Sequence, residues 1–492
     1  MHDDINQALY ILEIVWKNLR YIDFIAALLI VFLEKHNSRR AWTWIMIVYV
    51  IPIFGIFIYL LFGANIIKRR MFKAKAVIDQ RKDLVHLQEE SIEDHKLQER
   101  DPIINKFADL IYYNLETSSA ILSSNNLVTH ISDSDKKFAL LKEDIKNAKR
   151  FIHIQYYMIK DLHLFYSLVE LLIQKAEEGV EVRILIDGMG SHFLKRSTVL
   201  ELEKHNVHVG VFFKGIFGRI HVRMNYRNHR KIIVIDGDIG YVGGVDLRKE
   251  YVSTSDTSKY IPKWRDTHMR IEGLAVLDLG IRFILDWNFA KKEDLFHGLS
   301  YINLPKPVEG KSKLQVLMSG PDAHMNHIRD NYLRMIGKAK KSIEIQTPYF
   351  IPDTEIMTAL RIAVASGIRV NIMIPNKPDY PLVYWASMFY VGQLLLEGAH
   401  CYIYERGYLH CKGMIVDREV YCYGTAGLDN RSLHMNFEVN VINYSKDDVL
   451  EMVRIYQEDL RYCSRVTKES YVARNLRYRY KEQVSRLFAP LF

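Results

Sequence analysis

The sequence predicts an α/β fold in which one domain occurs twice, preceded by two hydrophobic segments. Strands rich in Val and Ile alternate with helices of 3.6-residue periodicity, which is the pattern of an α/β domain. The same order of helix and strand appears in residues 145–188 and again in residues 336–376. Near the start, 23 consecutive residues, 41–63, carry no charge. We therefore expect a membrane anchor followed by two similar domains.

The composition is that of a globular protein with a basic surface. The chain has 492 residues, of which 49% are hydrophobic and 25% charged, enough for two or three domains. Its net charge of +9 favours an anionic partner, lipid or nucleic acid, with an ordinary basic surface as the alternative. The four cysteines lack metal-type CxxC spacing and predict free thiols in a reducing compartment: Cys401, Cys411, Cys422 and Cys463.

Residues 1–67 form the predicted membrane anchor. Segment 41–63 is long enough to span a bilayer as a helix. Segment 8–33 is apolar but contains charged residues, so it either spans the bilayer or lies along its interface. Five basic residues lie between positions 68 and 75, directly after the second segment. By the positive-inside tendency they place residues 64–492 in the cytoplasm, so we expect a multi-pass membrane protein with cytoplasmic catalytic domains.

The remaining chain is predicted to hold a connector and two copies of one α/β domain. Residues 68–100 are charged and prone to form helices, and we interpret them as the connector. The first domain is predicted to occupy residues 101–303 and the second residues 314–492. When the copies are aligned, Gln155 and Gln346 fall at the same position of their first strands. The period is far too long for a solenoid repeat, so it indicates a duplicated domain.

Each predicted domain contains the motif His-x-Lys-x4-Asp, and the two copies lie 181 residues apart. Side chains two residues apart in a strand point to the same face, so each His and its Lys point together. Each Asp lies at an odd spacing from its His, and we expect it to fix a turn. A His and a Lys from each half suit a metal-free site for attacking a phosphodiester. The candidate catalytic residues are His229, Lys231, Asp236, His410, Lys412 and Asp417.

The chain resembles the phospholipase D superfamily and, within it, the bacterial cardiolipin synthases. The repeated His motif is specific to the superfamily. The hydrophobic front and several flanking motifs are similar to the synthases: WRDTHMRIEG (264–273), GTAGLDNRS (424–432), NFEVN (436–440) and SRLFAPLF (485–492). The resemblance implies two pseudo-symmetric α/β sandwich domains, each with a central mixed sheet, after N-terminal transmembrane helices in a bacterial cell membrane.

The resemblance also implies an activity. It implies transfer of a phosphatidyl group from one phosphatidylglycerol molecule to another, giving cardiolipin and glycerol, with no cofactor and no metal. One His attacks phosphorus and forms a phosphohistidine, while the other protonates the leaving alcohol and deprotonates the incoming one. His229 is favoured as the nucleophile and His410 as the acid/base, although the symmetry leaves their order open. Lys231 and Lys412 stabilise the negative charge of the phosphate oxygens.

Further site residues follow from the same resemblance. The family places a carboxylate behind each imidazole, and Asp266 and Glu438 stand at those positions. After the small-residue turn the family usually has an Asn that helps to hold phosphate, whereas this chain has Asp246 and Gly427. The hydroxyl of Thr425 and backbone NH groups are expected to bind phosphate in their place.

Two other functions stay open on the sequence alone. A hydrolase on the same scaffold would use water as the acceptor and cleave a lipid or a nucleic acid. A catalytically impaired membrane paralogue would explain the two missing Asn residues. The expected partners are phosphatidylglycerol and the bilayer rather than nucleic acid, since a soluble nuclease would not need residues 41–63. The sequence does not indicate the oligomeric state.

Overall fold

The computed structural model falls into two compact units. One comprises residues 1–78 with 215–226, and the other comprises residues 79–214 with 227–492. The structure describes residues 18, 21–34, 38–62, 101–160, 162–192, 194–213, 226–252, 263–295, 305–323, 325–377 and 379–491. The predicted connector and most of the first half of segment 8–33 lie outside the described residues.

In the first unit, the described residues form three short helices: α1 (residues 21–33), α2 (Ser38–Val50) and α3 (Phe54–Phe62). The sequence predicted one helix across 41–63, but the helix is interrupted at Pro52, which has no amide hydrogen to donate, and at Ile53, whose φ is +62°. A Cβ on Gly55 would lie 2.7 Å from Val48 Cα, whereas seven residues of straight helix would separate them by about 10 Å. The chain therefore turns back on itself.

The two arms of this turn pack through aromatic and aliphatic side chains. The rings of Trp44 and Tyr59 lie edge to face with centroids 5.4 Å apart, and Ile30 and Val48 are buried beside them. Within the described residues, none of the helices combines the length and the apolarity needed to cross a bilayer.

The second unit is built on one mixed sheet. In the part of this unit that the structure describes, fifteen strands form a continuous sheet and two others pair as a short parallel ribbon. The strands are β1 (Ser123–Ile131), β2 (Phe151–Tyr156), β3 (Glu181–Asp187), β4 (Val207–Phe212), β5 (Ile232–Ile235), β6 (Ile239–Gly243), β7 (His268–Gly273), β8 (Ser312–Ser319), β9 (Ser342–Gln346), β10 (Phe350–Ile351), β11 (Arg369–Pro375), β12 (His400–Tyr404), β13 (Gly413–Val416), β14 (Val420–Gly424), β15 (Leu428–Asp429), β16 (Glu438–Asn443) and β17 (Cys463–Val466).

The strand order shows the duplication. From the centre outwards, the first half runs β1-β7-β6-β5-β2-β3-β4 and the second half runs β8-β16-β14-β13-β9-β11-β12, with β17 added at the edge. The halves meet where β1 pairs antiparallel with β8. The predicted duplication of an α/β domain is therefore confirmed, and the two expected sheets are continuous with each other.

Helices cover both faces of this sheet. They are α4 (Pro102–Lys106), α5 (Ala108–Ser118), α6 (Ser134–Asn147), α7 (Leu162–Glu177), α8 (Arg196–Lys204), α9 (Ala275–Lys291), α10 (His327–Lys338), α11 (Thr354–Ala365), α12 (Pro381–Glu397), α13 (Asn430–His434), α14 (Lys446–Leu460), α15 (Lys468–Val472) and α16 (Leu476–Ser485). Local sequence sets several of their starts: the side chain of Asp353 caps α11 by accepting from Ile356 N, and a proline opens α12.

The two motif strands lie deep in this arrangement. β5, with the sequence IIVI, and β13, with the sequence GMIV, are buried along their whole length. Each is flanked by antiparallel partners, β2 and β6 in the first half and β9 and β14 in the second. Because both strands are fixed on both edges, the residues that directly precede them are held in defined positions.

Candidate active site

Each motif His lies in the segment that leads into its strand, and the opposite half holds it there. The sequence predicted that His229 and Lys231 lie on a strand, but β5 begins only at Ile232. The His229 amide donates to the carbonyl of Phe437, 2.9 Å away, in the second half. Reciprocally, the His410 amide donates to the carbonyl of Arg265, 2.7 Å away, in the first half.

The residue after each of these carbonyls is a carboxylate that contacts the imidazole. Nδ1 of His229 lies 2.9 Å from Oε2 of Glu438, and Nδ1 of His410 lies 2.7 Å from Oδ2 of Asp266. Both carboxylate side chains are fully buried. Burial raises the pKa of Glu438, but His229, Lys231 and the Thr425 hydroxyl together outweigh it, so the pKa of Glu438 lies below its ordinary value. Each half thus supplies the carboxylate that orients the imidazole of the other.

The two imidazoles have different surroundings. The Tyr251 hydroxyl lies 2.7 Å from His410 Nδ1 and donates to Asp266 at 2.8 Å, and the Trp264 ring lies 5.0 Å from the His410 ring. Burial and the Lys412 ammonium lower the pKa of His410 to about 3, against the opposing effect of Asp266. This imidazole is therefore neutral at physiological pH in the free protein. Neither Tyr251 nor Trp264 was predicted to contact the imidazole: no motif contains Tyr251, and Trp264 opens the WRDTHMRIEG motif, in which only Asp266 was assigned a role.

The two motif lysines are buried and influence each other electrostatically. The ammonium of Lys231 donates to the His229 carbonyl at 3.0 Å and lies 3.2 Å from Oδ2 of Asp246. Lys412 Nζ lies 2.5 Å from the His410 carbonyl oxygen, to which it donates, and 3.6 Å from Asp266. Burial lowers the pKa of Lys231, Asp246 opposes this, and the charge of Lys412 lowers it further. The motifs of the two halves therefore contribute to one charged site.

The Asp of each motif closes a turn away from the imidazoles. Asp236 and Asp417 both have φ of +54°, in the left-handed region. The Asp236 carboxylate accepts from the amides of Lys149, Arg150 and Phe151 at 2.7–2.9 Å. The Asp417 carboxylate accepts from three amides at the matching positions, those of Lys340, Lys341 and Ser342. These aspartates fix the turn between β5 and β6 and between β13 and β14, as the spacing predicted.

The Thr425 hydroxyl has a different role from the one expected. Its side chain is fully buried, it accepts from the Val439 amide at 2.8 Å, and it contributes a hydrogen bond that lowers the pKa of Glu438. Because these contacts use the hydroxyl, it supports the strand of Glu438 rather than presenting itself to a phosphate. The equivalent residue, Gly244, has no side chain because a Cβ there would lie 2.1 Å from Asp266 Oδ1.

Sequence reasoning missed a buried Arg–Asp–Gln cluster behind each His. In the first half, Arg230 contacts both carboxylate oxygens of Asp286, at 2.9 and 2.7 Å, and donates to the Glu438 carbonyl at 3.2 Å; Gln155 donates to Asp286 at 2.9 Å. The aligned glutamines were the signal for these clusters, because each donates to an aspartate on a later helix.

The second cluster takes its Asp and Gln from the second half but its Arg from the first half. Arg265 contacts both oxygens of Asp459, at 2.7 and 2.8 Å, and Gln346 donates to the same carboxylate at 2.9 Å. Arg265 directly precedes the orienting Asp266, so this ion pair fixes the backbone that carries the carboxylate. Among the described residues, no group of His, Cys, Asp and Glu side chains is arranged to hold a metal ion.

Comparisons with known proteins identify the family. A family model described as "Cardiolipin synthase, PLD-like domain" matches residues 141–259 and 332–460. The chain is 42% identical over 477 residues to the major cardiolipin synthase of Bacillus subtilis (strain 168), covering 96% of this chain and 97% of that one. The chain belongs to the cardiolipin synthase family of phospholipase D-like proteins. The match extends across both halves, so the family resemblance drawn from the motifs is confirmed.

A further relative and a second family model agree with this assignment, and a solved structure shares the fold. Cardiolipin synthase 2 of Staphylococcus epidermidis (strain ATCC 12228 / FDA PCI 1200) is 37% identical over 498 residues, covering 99% of each chain. A second family model, "Phospholipase_D-nuclease N-terminal", matches residues 22–63. The crystal structure of phosphatidylserine synthase from Haemophilus influenzae Rd KW20 shares the fold, with a TM-score of 0.58, 15% identity and coverage of 79% of this chain and 96% of that chain.

Proposed function

We propose that this protein is a cardiolipin synthase, which transfers a phosphatidyl group from one phosphatidylglycerol to another and releases glycerol. The observation that carries the proposal is the reciprocal pairing of His229 with Glu438 and of His410 with Asp266 across the two halves. Two oriented imidazoles flanked by two ammonium groups suit a displacement at phosphorus, where one group attacks while another handles the proton of the alcohol.

The reaction divides into two displacements. In the first, an imidazole nitrogen forms a bond to phosphorus, the bond from phosphorus to the glycerol oxygen breaks, and the second imidazole gives its proton to that oxygen. In the second, the second imidazole takes a proton from the hydroxyl of the acceptor phosphatidylglycerol, whose oxygen bonds to phosphorus as the phosphohistidine breaks. Lys231 and Lys412 stabilise the charge on the remaining phosphate oxygens in both steps.

The order of the two imidazoles is open to a direct test. The sequence favoured His229 as the nucleophile, whereas the low pKa of His410 favours His410, because a nucleophile must be neutral and an acid must hold a proton. The variants His229→Ala and His410→Ala should be incubated with phosphatidylglycerol labelled in its phosphate and then denatured. Only the variant that keeps the nucleophile can retain label on the protein, in an acid-labile bond.

Attachment to the cell membrane is part of the proposal. The first unit exposes large apolar side chains on all three helices, among them Phe24, Phe32, Trp42 and Phe54. Exposed apolar surface of this kind is typical of a membrane contact. We propose that residues 1–67 hold the enzyme at the bilayer, with the catalytic unit in the cytoplasm as the basic residues after the anchor predict. Labelling of single cysteines introduced at Lys68 and at Arg39, in intact and in opened cells, tests this orientation and the number of crossings.

Lipid mass spectrometry on vesicles that contain only phosphatidylglycerol tests the activity. Cardiolipin together with equimolar glycerol supports transfer. Phosphatidic acid as the sole lipid product, again with equimolar glycerol, would make the protein a hydrolase, and unchanged lipid would make it the impaired paralogue. His410→Ala should abolish the product, whereas His205→Ala, which alters an imidazole on the surface of the same unit, should not.

A further inference from the structure

Asp246 places a buried carboxylate directly against one of the two motif lysines. Its Oδ2 lies 3.2 Å from Lys231 Nζ, and the two side chains are only 5% and 0% exposed. Its Oδ1 accepts from the amide of Met158 at 3.1 Å, so the carboxylate is held in position. At this depth the charge of Asp246 is weakly screened, and it acts on any anion that Lys231 contacts.

The second half has no carboxylate at the corresponding position of the chain, although a buried one is close to it: a Cβ on Gly427 would lie 2.8 Å from Asp429 Oδ2. Gly427 occupies the position of Asp246 in the repeat, and Lys412 has only the carboxylate that also orients His410, at 3.6 Å. A second buried ionisable group lies within electrostatic reach of Asp246. Lys137 of α6 is fully buried, its pKa is lowered by burial to about 7, and the charge of Asp246 counters this lowering.

The repeat alignment shows that these two charges are absent together from the other half. With Gln155 opposite Gln346, Lys137 falls opposite Ile328 of α10, which is buried and apolar. The first half therefore has Lys137 and Asp246 where the second half has Ile328 and Gly427. The two halves of the duplicated site therefore differ in their buried ionisable groups.

The contacts of Lys231 show what the difference does. An ammonium has three hydrogens to donate, and the His229 carbonyl and Asp246 engage two of them. One hydrogen stays available for a phosphate oxygen. The carboxylate of Asp246 reduces the attraction of the Lys231 ammonium for that oxygen. The repulsion energy between Asp246 and a bound anion is proportional to the charge of the anion. A phosphomonoester carries about two negative charges at neutral pH, so Asp246 repels it nearly twice as strongly as it repels an anion with one negative charge.

We propose that Asp246 is a specificity-determining residue that adapts the site to monoanionic phosphodiesters and disfavours dianionic phosphomonoesters and inorganic phosphate. The inference rests on the proposed function, since it concerns the phosphate subsite of that reaction. It explains how a transferase handling diesters avoids being occupied by phosphomonoester lipids and by free phosphate, which the same two lysines would otherwise attract.

Binding of two soluble probes to the full-length protein in detergent tests the proposal without requiring turnover. The probes are inorganic phosphate at pH 8, which is a dianion, and dimethyl phosphate, which is a monoanion, each titrated calorimetrically. Asp246→Asn should tighten phosphate binding at least about tenfold and dimethyl phosphate binding markedly less, because the removed repulsion scales with the charge of the ligand. The control Asp238→Asn removes a carboxylate that pairs with Lys306 at 2.7 Å and changes the total charge equally, so it should alter neither affinity.

Three outcomes overturn the proposal: equal gains for both probes, no gain for phosphate, or no phosphate binding by any variant. If Asp246→Asn fails to fold, as judged by its thermal transition, the double variant Lys137→Ile with Asp246→Gly installs the pair that the second half already contains, and a smaller shift in the same direction is expected of it, because any positive charge on Lys137 is lost as well. The vesicle assay separates the two proposals, because a protein that makes no cardiolipin but shows the phosphate shift refutes the proposed function and leaves the role of Asp246 standing.

Discussion

At the scale of the residue, the motif contains two residues that lie at the charged site and one that holds a turn. His and Lys lie at the charged site, whereas Asp236 and Asp417 adopt φ of +54° and accept from three backbone amides each. A left-handed conformation is uncommon for a residue other than Gly, but Asp tolerates it when its side chain bonds locally. An apparent catalytic triad therefore contains one residue whose task is to fix a turn.

Asp417→Ala should lower stability and leave turnover by the folded enzyme unchanged. The substitution leaves the amides of Lys340, Lys341 and Ser342 without their acceptor, and we expect a loss of about 1–3 kcal/mol in the free energy of unfolding. Denaturant unfolding and activity normalised to folded protein measure the two effects, with the exposed Glu203→Gln as the control. A hundredfold drop in normalised activity would place Asp417 in the chemistry.

Asp266→Asn should reduce kcat by a factor of about 10²–10⁴ without unfolding the protein. The amide keeps the size of the carboxylate but loses the charge that orients and stabilises His410, and comparable losses occur when the acid behind a catalytic His is neutralised. Glu438→Gln should act alike on His229. Steady-state transfer on phosphatidylglycerol vesicles measures the effect, and an unchanged kcat in both variants would remove the carboxylates from the mechanism.

The pKa of His410 predicts that stability decreases toward acid pH. Its folded value of about 3 lies below the ordinary value of about 6.5, so the unfolded chain binds more protons between these values. The free energy of unfolding must therefore fall as pH decreases through this window, by about 2 kcal/mol between pH 8 and pH 5 from this group alone. His410→Gln should remove that portion of the decrease in denaturant titrations, whereas His205→Gln should not.

At the scale of the element, the buried strands were predictable from the sequence, but the conformation of the residues that directly precede them was not. The apolar runs IIVI and GMIV predict β5 and β13, which the structure contains. The same spacing placed His and Lys on those strands, but the hydrogen bonds that hold His229 and His410 come from Phe437 and Arg265, in the opposite half. A pattern read along one segment does not show a partner more than 140 residues away.

Asp459→Ala should be among the most damaging substitutions that lie outside the site. It leaves the Arg265 guanidinium buried without its carboxylate, and breaking a buried ion pair from one side costs about 3–5 kcal/mol. Glu451→Gln, which removes an exposed partner of Arg454, should change stability by at most about 0.5 kcal/mol. Denaturant unfolding compares the two variants. Equal changes in the free energy of unfolding would show that the buried Arg265–Asp459 pair stabilises the protein no more than an exposed ion pair does.

At the scale of the whole molecule, the sequence predicted a duplication but not its continuity. The two copies could be recognised in the sequence because their motifs, helices and glutamines recur in the same order. Their joining into one sheet depends on the pairing of β1 with β8, whose edges carry no distinctive sequence. The anchor was predicted as a 23-residue span, yet Pro52 and the close approach permitted by Gly55 turn it back on itself.

The second unit should unfold as one body. Because its halves share a sheet, a hydrophobic cluster built from both of them and the contacts of both imidazoles, we expect neither half to unfold alone. Calorimetry of the full chain should give a single transition for this unit, which Asp286→Ala in the first half and Asp459→Ala in the second both lower. Two transitions, each moved by only one of the variants, would contradict this expectation.

The exchange of carboxylates between the halves also bears on descent. A protein with a single copy would have an imidazole but no acid behind it, unless two such chains associated about a twofold axis and lent each other the missing group. Fusion of the two genes would have turned that subunit interface into an internal one. After the fusion the two copies could acquire different residues at equivalent positions. Asp246 and Gly427 are one such difference.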